Sequence, residues 1–186
     1  VFMLISGSLF AQYQMDLSEM KYPSIEYLNM GNPGPSGKEI KVNNLYLEEG
    51  GIPQLPVMGE IHYNRMNPRY WRDALLKMKA SGINIVATYC IWNLHEEFEG
   101  KLSWKGQLDL RSFVCLCKEL GLRVHLRIGP YCNAEIRNGG LPDWIVNNKS
   151  FESRSNDPLY LSYVNRWYKE LYRQVEGLLY KDGGPI

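Results

Sequence analysis

Three short apolar runs in this sequence are each followed at once by polar residues that could do chemistry. After the first come Glu60, His62, Tyr63 and Arg65. After the second come Tyr89, Trp92, Asn93, His95, Glu96 and Glu97. After the third come Arg127, Tyr131, Asn133, Glu135, Arg137 and Asn138. The set combines carboxylates, planar hydrogen-bonding forks and aromatic faces. That mixture suits a polyhydroxylated ligand, with polar groups on the hydroxyls and rings against the apolar face. The sequence has no serine-nucleophile elbow and no paired-histidine zinc motif. His62 and His95 could join Cys90 and Cys132 on a metal, but the spacing is not a zinc or redox signature, so no metal and no cofactor is expected. Plainer roles compete at several positions. Glu135 could pair with Arg137 on a surface loop, and Glu60 could be a partner for Arg65 or Arg127. Trp92 could be a sugar platform or ordinary packing.

The elements that must position these residues follow a rhythm. Leu55 to His62 reads as a short strand. Asn67-Pro68 supplies a cap and a first-turn proline, Tyr70, Ala74, Leu75 and Met78 recur at helical spacing, and Gly82 stops the helix. Ile83 to Tyr89 is a second strand, followed by a loop from Cys90 to Gly106. A helix is predicted over 108–120, with Leu110, Phe113, Val114 and Cys117 inward. Leu122 to Ile128 is a third strand, followed by a loop over 129–156. Asp157-Pro158 opens a long helix marked by Leu161, Val164, Trp167, Leu171, Val175 and Leu178. Gly183-Gly184-Pro185-Ile186 reads as the entry to a fourth strand. Ahead of all this, Ile40 to Leu47 alternates loosely and Glu48 to Gly51 supplies a turn, predicting a hairpin at the lower end of the fold.

Strand and helix alternating at this spacing predict an α/β fold with a parallel sheet. A nucleotide-binding sheet needs a glycine-rich turn after its first strand, and Tyr63-Asn64-Arg65-Met66-Asn67 has none. Long polar loops after every strand point instead to a (β/α)8 TIM barrel with its function on the C-terminal face. A whole barrel takes about 250 residues. The stretch from Leu55 to Ile186 fits its first half, with strands 1–3 complete and strand 4 beginning.

The chain has 186 residues, 45% hydrophobic and 22% charged, with a net charge of +1. That composition is globular, and the charge balance makes no case for a nucleic-acid or anionic-membrane partner. Residues 1–12 carry an apolar stretch ending in Ser8-Leu9-Phe10-Ala11 and read as the remnant of an export signal, too short for a stable membrane span, with a buried N-terminal strand as the alternative. Export would place the protein outside the cell or in the periplasm. Residues 13–38 read as an extended lead-in and 39–186 as the barrel segment. Cys115 and Cys117 sit two apart on a helix and cannot bridge each other, whereas Cys90 and Cys132 could lie close together.

Several motifs occur together in one order. They are Gly59-Glu60-Ile61-His62-Tyr63, Tyr70-Trp71-Arg72, Thr88-Tyr89, Trp92-Asn93-Leu94-His95-Glu96, Leu126-Arg127-Ile128-Gly129-Pro130-Tyr131, Ala134-Glu135, Gly139-Gly140-Leu141-Pro142, Arg154-Ser155-Asn156-Asp157-Pro158 and Gly183-Gly184-Pro185-Ile186. This set resembles glycoside hydrolase family 35, over roughly residues 45 to 186. The resemblance implies a secreted or lysosomal exo-acting enzyme that removes terminal β-linked galactose with retention. It implies that Tyr89, Ala134 and Glu135 bind the sugar, with Glu60, His62, Arg65, Trp92, Asn93, Arg127 and Asn138 as candidates to support them. It places both catalytic glutamates beyond Ile186, so no catalytic residue is expected within 1–186 and the rest of the barrel must complete the site. The sequence departs from the common family form in three places. Glu60 stands for a Ser or Gly, Ile136 stands for an aromatic, and Arg137-Asn138 replaces an acidic or aromatic pair. Two other readings stay open: a non-catalytic or differently specific carbohydrate-binding barrel, and a related retaining endo-glycosidase.

Overall fold

The computed structural model describes residues 33–186. The export-signal remnant expected at 1–12, and the expected lead-in up to residue 32, lie outside the described residues. Residues 34–38 form a turn, with Gly34 N donating to Lys38 O at 2.8 Å. Then come three antiparallel strands, β1 (Ile40–Val42), β2 (Leu47–Glu49) and β3 (Ile52–Gln54), in the order β1-β2-β3. The expected hairpin is present as β2-β3 with its turn at Gly50-Gly51, but Ile40–Leu47 is not one continuous run and the turn does not include Glu48 and Glu49. Asn43 breaks that run, because its side-chain oxygen accepts from the N–H groups of Leu45 and Tyr46, both at 2.8 Å. Glu48 and Glu49 therefore belong to β2. The small sheet sits at the lower end of the larger one, where Glu49 pairs with Arg123 at 2.5 Å and accepts from the Tyr180 hydroxyl at 3.0 Å.

The larger sheet is parallel, with β4 (Met58–Glu60), β5 (Ile85–Tyr89) and β6 (Arg123–Arg127) in the order β4-β5-β6. β4 is shorter than the expected strand over 55–62. The Val57 N–H is taken by the Asn84 side chain at 2.9 Å, and a 3-10 turn begins at Tyr63. Between β4 and β5 lies α1 (Trp71–Ala80), entered through a 3-10 turn at Pro68–Tyr70 that is capped by the Asn67 side chain. The loop after β5 contains α2 (Trp92–His95). Between it and β6 lies α3 (Leu110–Glu119), which starts two residues later than expected because Asp109 caps it by accepting from Ser112 N. The loop after β6 contains α4 (Asp143–Val146), and Asp157 caps the long α5 (Pro158–Val175). Two inward positions differ from expectation. Leu161 is 44% exposed and Tyr160 takes its place in the core, while Leu178 is buried but lies beyond the end of α5.

One face of the parallel sheet carries the core. Val86 and Val124 pack there with Leu75, Phe113, Val114, Trp167 and Leu171. Gly59 also turns to this side. A Cβ on it would lie 2.5 Å from Ile83 Cδ1 and 2.9 Å from Met78 Cε, so a larger residue there would make the ends of these two side chains move. On the other face Met58 is 51% exposed and His125 is exposed. Beside the free edge of β6, Val124 N donates to Pro185 O at 2.8 Å. Gly183–Ile186 thus lies where the fourth strand is expected, though no strand forms there. All four cysteines are unbridged. Burial pushes the Cys90 and Cys117 thiols up to about 12 and Cys132 up to about 11, so these three are poor nucleophiles. Among the described residues no helix is long and apolar enough to cross a membrane.

A polar chain runs through this core. His95, 1% exposed, has Nδ1 at 2.9 Å from the Ser103 carbonyl and Nε2 at 2.7 Å from the Tyr63 hydroxyl. A carbonyl only accepts, so Nδ1 carries the proton and Nε2 accepts from Tyr63. Burial lowers the His95 pKa to about 4. The folded protein therefore keeps His95 neutral where the unfolded chain would protonate it. The stability this represents is intact above the unfolded pKa near 6.5 and is lost as pH falls towards 4, by about 3 kcal/mol. A His95→Gln variant should show a flatter fall in unfolding free energy between pH 6.5 and 4. Identical slopes in the two proteins would count against this account.

Candidate active site

The last residues of the three parallel strands are Glu60, Tyr89 and Arg127. The ladder sets Tyr89 beside Arg127 and Glu60 beside Ala87, two residues before Tyr89. The two-residue repeat of a strand turns all three side chains to the face away from the helices, at the C-terminal end of the sheet.

Their contacts close on one another. Glu60 Oε1 lies 3.0 Å from His62 Nε2, and Glu60 Oε2 pairs with the Arg127 guanidinium. Arg127 sits over the Tyr89 ring, 3.7 Å from its centroid, a geometry that favours a cation–π contact. The His62 ring is 5.7 Å from the Tyr89 ring, and its Nδ1 faces the Tyr89 N–H at 3.5 Å. An amide N–H only donates, so Nδ1 accepts and Nε2–H donates to Glu60. Burial lowers the His62 pKa; Glu60 opposes the shift and Arg65 and Arg127 add to it. The neutral ring this favours agrees with the tautomer the contacts select. Of the two partners weighed for Glu60, the fold selects Arg127.

Arg65 has a different job. Its guanidinium donates to the Glu135 carbonyl at 2.9 Å, tying the turn after β4 to the loop after β6. The Glu135 carboxylate is left exposed, with no hydrogen bond or ion pair among the described residues. It does not pair with Arg137, which pairs with Asp143 at 2.6 Å. Ala134 lies beside it, half-buried. The loop turns back through Asn138 and Gly139, both at positive φ. The Tyr131 ring lies over Gly139 so closely that a Cβ there would be 2.0 Å from it. An available carboxylate, a clamped tyrosine and a small neighbour can together accept hydroxyl hydrogen bonds and seat a ring.

The other candidates sit apart from this cluster. Trp92 is fully buried, stacked 5.5 Å from Trp167, and its Nε1 donates to Glu96 at 2.8 Å, so it is packing and not a platform. Asn93 donates to the Arg137 carbonyl at 3.3 Å, and Asn138 donates to Asp143 at 2.7 Å; both hold the loop. Asn64 was not singled out from the sequence, whereas Glu96 stood among the polar residues after the second strand. Asn64, 2% exposed, donates to the Tyr89 carbonyl at 3.3 Å. Glu96, fully buried, accepts from Trp92, from Gly100 N at 2.7 Å and from Arg166 at 2.5 Å. The signal for Asn64 was its place between Tyr63 and Arg65 in the turn after β4; nothing local marked Arg166 as the partner of Glu96.

The family model for glycosyl hydrolases family 35 matches residues 47–186, the whole of the parallel sheet and its loops. The chain belongs to family 35. This is a family of TIM-barrel enzymes, and the β4-β5-β6 sheet with its helices is the corresponding α/β arrangement. The chain is 46% identical over 143 residues to the beta-galactosidase of Bos taurus, covering 77% of this chain and 22% of that protein. It is 44% identical over 136 residues to the beta-galactosidase of Homo sapiens, covering 73% and 20%. It is 41% identical over 154 residues to beta-galactosidase 8 of Oryza sativa subsp. japonica, covering 82% and 23%. The chain thus spans about a fifth of the length of these family 35 relatives. Among solved structures, exo-beta-1,4-mannosidase Op5Man5 from Opitutaceae bacterium strain TAV5 aligns with a TM-score of 0.57 at 14% identity, covering 87% of this chain and 26% of that one, a likeness of fold alone.

Proposed function

We propose that the protein is a retaining exo-β-galactosidase in which residues 47–186 supply the galactose-holding side of a (β/α)8 barrel. The observation that carries this is the available Glu135 carboxylate, on a backbone that Arg65 holds through the Glu135 carbonyl, in a family 35 chain whose Tyr89 is clamped by Arg127. Glu135 accepts hydrogen bonds from sugar hydroxyls, Tyr89 seats the ring, and Ala134 leaves room for it. Glu60, His62 and Arg127 keep Tyr89 in place. Glu60 has both oxygens engaged and is not the proton donor. The acid/base and nucleophilic glutamates belong to chain beyond Ile186, whose strands close the barrel over the exposed face at Met58 and His125. We also propose export across a membrane; recovery of the full-length protein only in the cytoplasm of its native cells would refute that.

The test of the sugar site is Glu135→Gln in the full-length enzyme. A hydrogen bond to a charged group contributes about 1.5–3 kcal/mol. Inhibition by a galactose analogue should therefore weaken at least about tenfold. An unchanged inhibition constant would show that Glu135 is only a surface charge.

A further inference from the structure

A second cleft, of about 650 Å³, opens on the far side of the Glu135 segment. Its walls are Leu94, Glu97 and Phe98 from the loop after β5, and Ile136, Pro142 and Trp144 from the loop after β6. The volume is within the range of small-molecule sites. Both walls are built firmly. Trp144 Nε1 donates to the Glu96 carbonyl at 3.1 Å, and the Glu96 carboxylate holds Gly100 N at 2.7 Å, fixing the loop that carries Phe98. Asn93 ties the opposite wall through the Arg137 carbonyl at 3.3 Å. Within this frame Phe98 stands 60% exposed, its ring met by Lys101 Nζ at 5.6 Å from the centroid.

The lining chemistry is selective. Phe98, Leu94, Ile136 and Trp144 offer apolar surface. The Glu97 and Glu99 carboxylates, both exposed, have no hydrogen bond or ion pair among the described residues. The cation in the lining, Arg137, is already paired with Asp143. Free acceptors therefore outnumber free donors, and the local charge is negative. The matching ligand donates through many hydroxyls, has apolar ring faces and carries no negative charge. Position supports the same ligand. Ile136 follows Glu135 directly, and its extended backbone (φ −143°, ψ 145°) turns the two side chains to opposite sides of one wall.

We propose that this cleft binds a neutral sugar unit of the substrate chain, outside the galactose pocket, and so makes the enzyme prefer galactose-terminated oligosaccharides to simple galactosides. The inference rests on the galactosidase reading, and its test separates the two. In the full-length enzyme, Phe98→Ala should lower kcat/KM on a linear β-linked galactotetraose about fivefold to tenfold, chiefly through KM, as expected for one half-covered aromatic contact. Turnover of an aryl β-galactoside should stay within about twofold, because Phe98 touches nothing in the galactose site. Glu97→Gln with Glu99→Gln should in addition relieve discrimination against a galactose-terminated chain that bears a uronic acid. Unchanged kinetics on the tetraose, or an equal loss on both substrates, would overturn the cleft. If the parent protein turns over neither substrate, the galactosidase reading fails; affinity electrophoresis in a neutral β-galactan then decides the cleft. Retardation that is lost in Phe98→Ala would sustain it, and absence of retardation in the parent would overturn it.

Discussion

Replacing Glu96 by alanine is expected to cost the protein about 3–5 kcal/mol of stability, the range for breaking a buried charge pair by removing one partner. The carboxylate is fully buried and serves three donors: the Trp92 indole, the Gly100 amide and the Arg166 guanidinium. Alanine leaves all three without an acceptor. Arg166 can partly recover by reaching water, since 36% of its side chain is exposed. Trp92 cannot, because it is sealed between Trp144 and Trp167 at ring distances of 5.8 and 5.5 Å. Glu96→Gln keeps the shape and two of the hydrogen bonds, so it should cost about half as much. The shift is read from urea unfolding followed by tryptophan fluorescence, because four of the tryptophans crowd around this carboxylate or its neighbours. A Glu96→Ala midpoint equal to that of the parent would mean that the network is not holding the loop. The consequence reaches function, because the same carboxylate fixes the loop that forms one wall of the second cleft.

Much of the scaffold was legible because its signals are local. Asn67-Pro68 and Asp157-Pro158 mark helix starts, and both side chains do accept from the first amides of their helices. The nearly continuous apolar run in β5, rich in β-branched residues, marks the central strand of the parallel sheet. Misreadings came where a side chain overrode the pattern. Asn43 turns a loosely alternating run into two strands, and Asn84 withdraws Val57 from the ladder. The site was legible in which residues gather, because residues at strand ends share one face by the geometry of a parallel sheet. Which of them pair was not legible. Glu60 to Arg127 and Glu96 to Arg166 are separated by 67 and 70 positions, and no periodicity reports a contact at that range. Trp92 shows the same limit. An indole that faces a ligand and an indole that donates to a buried carboxylate look alike until burial is known.

The proposed function is a division of labour, in which residues 1–186 carry sugar contacts while both catalytic glutamates lie further along the chain. Retaining hydrolysis needs a proton donor and a nucleophile about 5–5.5 Å apart. Glu60 is bound to His62 and Arg127, and Glu135 is proposed to recognise sugar hydroxyls. The free edges of the parallel sheet and its exposed apolar Met58 also favour self-association of the isolated segment. The most direct measurement is turnover of a chromogenic aryl β-galactoside, across a range of pH, by purified residues 1–186 and by the full-length protein side by side, with circular dichroism confirming that the shorter chain is folded. The account predicts hydrolysis by the full-length protein and none by residues 1–186. Sustained turnover by the folded shorter chain that disappears in a Glu60→Gln or Glu135→Gln variant would contradict it, because the catalytic carboxylates would then already be present within these residues.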